Sequence, residues 1–594
     1  MKNTKYLIFI FMFWHLVSCN DEYLSEKNPN EISSGTFWKN LKDTNTGLVA
    51  AYNALLDEDI YAIIQEGLRS DMGWPGYGRP IGSDENLRNF YELNYTNSDG
   101  YVQNKWNAAY TAIFRANQVI RALENIEETT SEEEKELWLL QMGQARFIRG
   151  LMHFYLHSAY NKGSIIIRDE VPVNPEDFNK PLSPSEDVIK FFRQDLEYAY
   201  SNLPAQYENP TQNDGRITKG AAAVILGTSY LYEKNYDTAI IYFDDIINDI
   251  TADYGYKLVE DMSLLFTEAG EHNDESILEL NYTKDFRTDI GVWEPYGLSN
   301  QLAWAVPSNK GPLLPAWIIN AYKSENLDTL DDRNYVDDPD SPTGRSLRPV
   351  SLRTSAMVGI VDDDVSLFSD QVTGLQIRIS TNGWGFGVYK KYTNHDLSPE
   401  EVSSDPRGAR ASGKNIILNR LADVYLMQAE CFIKTGDIDG ALELINAVRH
   451  RWALELLGPE NPKWSNSSFD LENYNEQSLM EHLMFVEKPL EMSLEGHQTR
   501  WIDLRRWGML GVNFQNLSNK TFYAKTVTIK DLEGNPVTKF NSSITEDPGT
   551  ASGLSIIDYE YDEKAANYNP ELHDYLPIPL GEIMRNSNIN LNDN

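Results

Sequence analysis
The sequence predicts a mainly α-helical protein, a scaffold of paired helices broken by a long irregular insertion. Three observations predict it. Two stretches nearly 200 residues apart repeat one helix-pair pattern. Apolar residues recur at helical spacing over about 36–257 and again over about 415–515. Between them, from about Leu258 to Lys414, the chain becomes rich in Gly, Pro, Asp and Ser and loses that period.

In chain order, Lys2 and Lys5 precede an apolar run of 12 residues, Tyr6 to Val17. A helix needs about 20 apolar residues to span a bilayer, so this run predicts a secretory signal instead. It ends in Leu16-Val17-Ser18-Cys19, which resembles the lipobox of bacterial lipoproteins, in which the cysteine is acylated and becomes the mature N-terminus. Residues 1–18 are thus read as a signal peptide. Asn20-Asp21-Glu22 resembles the acidic signal that sends Bacteroidetes lipoproteins to the cell surface. Acyl chains, each contributing about 0.8 kcal/mol per buried methylene, would tether it there.

"FWKNLKDTNTGLVAAYNALL" then reads as an amphipathic helix, and Arg69 to Gly100 as an irregular excursion rich in Gly and aromatics. Helical spacing resumes in "VQNKWNAAYTAIFRANQVIRALENI". It continues in "SEEEKELWLLQMGQARFIRGLMHFYLHSAY", where Ser131 and Glu134 are spaced as a capping box. From Ala221 to Ile247, Leu226-Gly227, Tyr230, Tyr236, Ala239 and Phe243 follow the tetratricopeptide pattern, small residues admitting the partner helix and aromatics filling the groove. Ala422, Tyr425, Ala429, Gly436 and Ala441 repeat it. The C-terminal region, about 516–594, has a polar alternating stretch in which "LEGNP" reads as a hairpin turn.

Composition narrows the function. The 52 Lys and Arg against 89 Asp and Glu leave a net charge of -37, which repels a phosphate backbone and argues against nucleic-acid binding. Cys19 and Cys431 are the only cysteines, so there is no disulfide framework. Cys431 sits in a helical pattern and reads as a packed thiol.

Aromatics stranded among loop residues are the candidate site. Sugar rings present C–H faces that stack on flat aromatic surfaces, and their hydroxyls need planar polar partners. Trp74 and Tyr77 lie among glycines and a proline, with Arg79, Asn86 and Asn89 nearby in sequence. Trp293, Tyr296 and Trp304 precede "GPLLPAWIINAY", and Trp384 is flanked by glycines. Against each stands the bland alternative that the ring packs into the core. His153 and His157 have an i, i+4 spacing open to a metal, but the glutamate of a zinc-protease helix is missing. The acidic runs near Asp328 and Asp362 lack the spacing of a calcium loop; no cofactor is expected. Glu487, Glu491 and Glu495 with Arg500, Asp503, Arg505 and Arg506 read as ion pairs bracing C-terminal helices.

Several separated stretches together resemble the SusD/RagB family of Bacteroidetes nutrient-binding lipoproteins. They are "QARFIRGLMHFYLHSAY", "GRITKGAAAVILGTSYLYEKNYDTA", "ESILELNYT", "IILNRLADVYLMQAECFIKTGD", "EKPLEMSLEGHQTRWIDLRRWG" and "YLPIPLGEIMRNSNINLN", in the family's order. Gln498 and Thr499 lengthen the family's usual spacing between Glu-Gly and Arg, and His153 and His157 replace residues commonly aromatic or apolar. The resemblance implies a single helical domain over 19–594, with four tetratricopeptide-like units and no catalysis. It implies a glycan ligand, or in some branches a peptide, and a SusC-like TonB-dependent outer-membrane barrel as partner. It also places the ligand near loops that precede the helix beginning around Trp106. The rival readings are a glycoside hydrolase, which needs two carboxylates across a cleft, and a structural or peptide-binding lid of the same barrel.

Overall fold
The protein is described here by a computed structural model covering residues 37–75, 85–209, 213–283, 297–306, 311–377, 385–398, 412–550, 554–555 and 561–589. Helix α1 (Leu41–Ala54) starts at Asn40, whose side chain accepts the N–H groups of Lys42 and Asp43. It packs on two long helices, α2 (Gly100–Ile126) and α3 (Lys135–Ala159), which also pack on each other. Then α4 (Ser185–Asn202) lies along α3, followed by the pair α5 (Lys219–Tyr232) and α6 (Tyr236–Asn248). A Cβ on Gly227 of α5 would stand 2.5 Å from the Phe243 ring of α6. Glycine is what lets that ring settle against the α5 backbone.

The chain then leaves the array. Strand β1 (Ser276–Leu280) precedes two short helices, α7 (Leu298–Ala305) and α8 (Ala316–Lys323). Strand β2 (Ile416–Arg420) pairs antiparallel with β1 and runs directly into α9 (Leu421–Thr435), which packs on both α6 and α10 (Ile438–Arg451). Gly436, at φ +90°, ends α9: its N–H bonds the Ile433 carbonyl at 3.3 Å, and the Asp437 N–H bonds that of Phe432 at 2.8 Å. Near the C-terminus are α11 (Thr499–Arg506), the hairpin β3 (Tyr523–Lys530) and β4 (Pro536–Thr545), and α12 (Leu580–Arg585). The hairpin turns at Asp531–Asn535, with Gly534 at φ +82°. The fold is therefore the helical scaffold with minor β structure that the sequence predicts.

Two local expectations need correction. Glu134 does reach back to Ser131, but α3 begins only at Lys135, and Ser131 donates its hydroxyl to the Glu134 carboxylate (2.9 Å) instead of capping the helix. The carboxylate is the stronger acceptor within reach, so the pair closes a turn ahead of the helix. The charged cluster braces the C-terminal part, but with other partners. Arg420, wholly buried, bonds Glu275 (2.8 Å), Glu491 (2.6 Å) and Glu495 (2.7 Å). Arg353 bonds Glu325 and Glu487, while Arg451 bonds Glu275 and Glu491. Burial raises the Glu491 carboxyl, yet Arg451, Arg420 and Arg353 outweigh it and hold the group at about 2. Arg500 turns instead to Asp71, and Arg506 to Glu430 and Asp503. These pairs join strands and helices far apart in sequence, where an unpaired buried charge would be costly.

Candidate ligand-binding face
The residues entering the first aromatic loop are tightly held. Asp71 accepts two hydrogen bonds from the Arg500 guanidinium (2.9 and 2.6 Å) and one from Asn513 (2.8 Å). The Asp71 carbonyl accepts from the Trp317 indole (2.8 Å) and the Tyr561 hydroxyl (2.6 Å). Tyr389 donates to the Met72 carbonyl at 2.6 Å. Lys564, fully buried, donates to the carbonyls of Leu68 (2.6 Å) and Ser70 (2.5 Å).

This anchoring decides Trp74. Its N–H bonds the Leu313 carbonyl (2.9 Å) and its carbonyl accepts from the Leu313 N–H (3.0 Å). Its ring lies parallel to that of Phe386 at 6.1 Å, and the residue is 1% exposed. Trp74 is a core residue here, which corrects the expectation that it offers a face to sugar. Flanking Gly and Pro suggested an exposed loop, but the packing partners come from positions 313 and 386, invisible to local sequence.

The same contact has a second consequence. Trp74, Leu313 and Phe386 stand at the stems of three separate segments, 76–84, 307–310 and 378–384. The Leu314 N–H reaches the Gly387 carbonyl at 3.4 Å, so all three stems share one backbone-paired junction. A second junction lies at the start of α7. Gly297 bridges Asp57, and Tyr282 donates its N–H to the Asn415 side chain (2.7 Å) and its hydroxyl to the Leu56 carbonyl (3.2 Å). Ser299 donates to the Lys414 carbonyl (2.7 Å), and the Ser412 N–H to the Asn300 side chain (2.7 Å). The residues on either side of segment 284–296 and the residue that follows segment 399–411 stand there. Helix α7, about 12 Å long at 1.5 Å per residue, separates the two junctions, and Gly311 sits against the backbone of its last residue, Ala305.

Of the other candidates, Tyr77, Arg79, Trp293, Tyr296 and Trp384 lie outside the described residues, as does Cys19. Asn86 is on the first turn of the helix Glu85–Glu92 and Trp304 on the last turn of α7; their side chains are likewise outside the description. Asn89 is on the same short helix, and its carbonyl accepts the Asn94 N–H at 2.8 Å.

The chemical alternatives fare as follows. His153 spends both ring nitrogens internally, one on the Arg149 carbonyl (2.8 Å) and one accepting the Arg168 N–H (3.2 Å), while His157 bonds the Ser185 hydroxyl (2.8 Å). Among the described residues no group of three or more His, Cys, Asp or Glu is placed to hold a metal ion. Asp328 and Asp363 accept backbone N–H groups in turns, and Asp362 pairs with Lys323 at 2.9 Å. Cys431 is buried, and burial pushes its thiol up, away from reactivity. Glu58, beside the second junction, is raised by burial and by neighbouring Asp59 and Asp57 to about 8. Sequence reading missed it, since a raised carboxyl depends on burial.

With this geometry in view, comparison with known proteins is direct. The SusD family model matches residues 363–594, and a second model, described as starch-binding and associating with the outer membrane, matches residues 69–231. The chain belongs to the SusD/RagB family. It is 24% identical over 555 residues to the SusD-like protein P25 of Formosa agariphila, covering 90% of this chain and 98% of that one. A SusD-like protein of Bacteroides ovatus is 22% identical, covering 99% and 97%. Among solved structures, a SusD superfamily protein of Bacteroides vulgatus superposes with a TM-score of 0.67 at 21% identity, over 93% of this chain and 99% of that one. A protein described as a laminarin-binding SusD-like protein superposes with a TM-score of 0.60 at 20% identity, over 93% and 99%. At these identities the structural likeness concerns the SusD fold. No helix among the described residues is long and apolar enough to cross a membrane.

Proposed function
We propose that this SusD-family protein is a non-catalytic receptor, lipid-anchored through Cys19 on the outer face of the outer membrane. It captures an oligo- or polysaccharide and passes it to a SusC-like TonB-dependent barrel. The observation that carries the reading is the junction of Trp74, Leu313 and Phe386, which brings the stems of separate aromatic-bearing segments to one place. Tyr77, Arg79, Asn86, Trp293, Tyr296, Trp304 and Trp384 are the proposed ligand contacts, and Trp74 anchors the stem that leads to Tyr77 and Arg79. Family membership and the laminarin-binding neighbour support a carbohydrate ligand. The net charge of -37 favours a neutral saccharide over a sulfated one. Capture by stacking and hydrogen bonds on preorganised stems needs little rearrangement.

A glycan-array screen of the full-length chain tests this, run beside Tyr77→Ala, Trp293→Ala and Trp384→Ala variants. The expected result is binding to one polysaccharide class, weakened at least about tenfold in one or more variants. An empty array would overturn the carbohydrate reading. The rival from another class is a glycoside hydrolase, which needs two carboxylates across a cleft. Product release from a polysaccharide at catalytic rates would establish it in place of the receptor.

A further inference from the structure
Exposed aromatic rings beside planar polar groups do occur in this molecule, on a cavity whose lining includes none of the junction residues. A cavity of about 390 Å³ lies between α2, the stretch 166–178 and α12. That is within the roughly 300–1,000 Å³ range of small-molecule pockets. Phe114 of α2 is 40% exposed on its wall and Phe178 57%. The backbone around both rings is held in place. The Arg168 guanidinium donates to the carbonyls of Asp177 (2.9 Å) and Phe178 (2.6 Å), and the Asp177 carboxylate accepts the N–H groups of Val173 (2.9 Å) and Asn174 (2.8 Å). On the helix side, Tyr110 donates its hydroxyl to the Ile166 carbonyl (2.7 Å) and accepts the Ile166 N–H (3.1 Å). Asn117 ties the Arg168 carbonyl to α2 at 2.9 Å. The charged rim balances, with Arg168 and Arg585 against Glu170 and Glu582.

We infer that this cavity is a second saccharide site, taking a short stretch of a neutral oligosaccharide. Two exposed rings supply stacking faces for C–H surfaces, and guanidinium and carboxylate groups of opposite sign supply donors and acceptors for hydroxyls without selecting a net charge. Backbone already held in place leaves only the two side chains to be ordered on binding. The inference rests on the glycan-binding reading but uses none of the residues proposed for it. Two sites on one chain would let a long polysaccharide be held at two points, raising retention without tighter contacts at either.

The test is calorimetric titration of the full-length protein with maltohexaose, cellohexaose, laminarihexaose, xylohexaose and mannohexaose. The native chain is compared with a Phe114→Ala/Phe178→Ala double variant and a Phe114→Tyr/Phe178→Tyr control. The expected result is two binding events per native chain for at least one hexasaccharide. One of them weakens about tenfold or more in the alanine pair and survives in the tyrosine pair, which keeps the flat faces. A single event unchanged by the alanine pair would overturn this inference while leaving the receptor reading standing. Absence of any binding by the native chain would also overturn it, and the glycan array separately decides whether the receptor reading falls too.

Discussion
Trp74 shows how a single residue changes meaning between sequence and structure. Its ring is enclosed against Phe386 and its backbone paired with Leu313, so replacing it leaves a cavity in a wall that cannot readily collapse. Trp74→Ala is expected to lower unfolding free energy by about 3–5 kcal/mol, the usual cost of removing a buried aromatic. Urea denaturation measures this, and a loss below about 1 kcal/mol would contradict the burial. For the same reason a loss of ligand in that variant would not by itself locate the site, and Tyr77, Trp293 and Trp384 are the better probes.

The elements most dependent on distant partners are the short ones around the loop stems. The stretch Leu68–Trp74 is fastened by Lys564 from the C-terminal helix Asp562–Asn567 and by Arg500 from α11. Lys564→Met would leave the carbonyls of Leu68 and Ser70 buried without that donor, at a cost of about 1–3 kcal/mol each when unsatisfied. Amide hydrogen exchange is expected to quicken over residues 68–74 and at Leu313, with α9 and α10 keeping their protection. Uniform loss of protection across the chain would show instead that Lys564 supports the whole fold. The long helices behave differently. Patterns such as Leu226-Gly227 and Phe243 were legible because the residues that pack lie one turn or one helix apart. The ion pairs were not, since Arg420 meets Glu275 and Glu491 across intervals that no local pattern reports.

For the molecule as a whole, buried titratable groups set the response to acid. Burial holds His153 at about 4, well below its ordinary 6.5. The unfolded chain therefore takes up that proton first, and stability present above pH 6.5 is lost as pH falls towards 4. His497, stacked on Tyr155 at 3.9 Å and pushed well down by burial and by Lys105, acts in the same direction. Glu491, held at about 2 against an ordinary 4.5, contributes stability present above pH 4.5 and lost as pH falls towards 2. Between pH 6.5 and 4 the melting temperature of a His153→Gln variant is expected to fall less than that of the native chain, since the variant lacks this proton uptake by the unfolded state. A fall of the same size in both would contradict the assignment of His153 as buried and neutral.

The sequence by itself determined the helix pairs and the hairpin, because periodicity and turn chemistry act over a few residues and leave a local imprint, and its separated motifs carried the resemblance to the family. Tertiary structure alone decided that Trp74 is a core residue, that the loop stems share two junctions beside α7, and which arginine neutralises which glutamate. Those outcomes depend on burial and on contacts between residues hundreds of positions apart. Exposed Phe114 and Phe178 make the same point: each is unremarked in its own stretch, and only the approach of the 166–178 stretch and α12 to α2 encloses a cavity beside them.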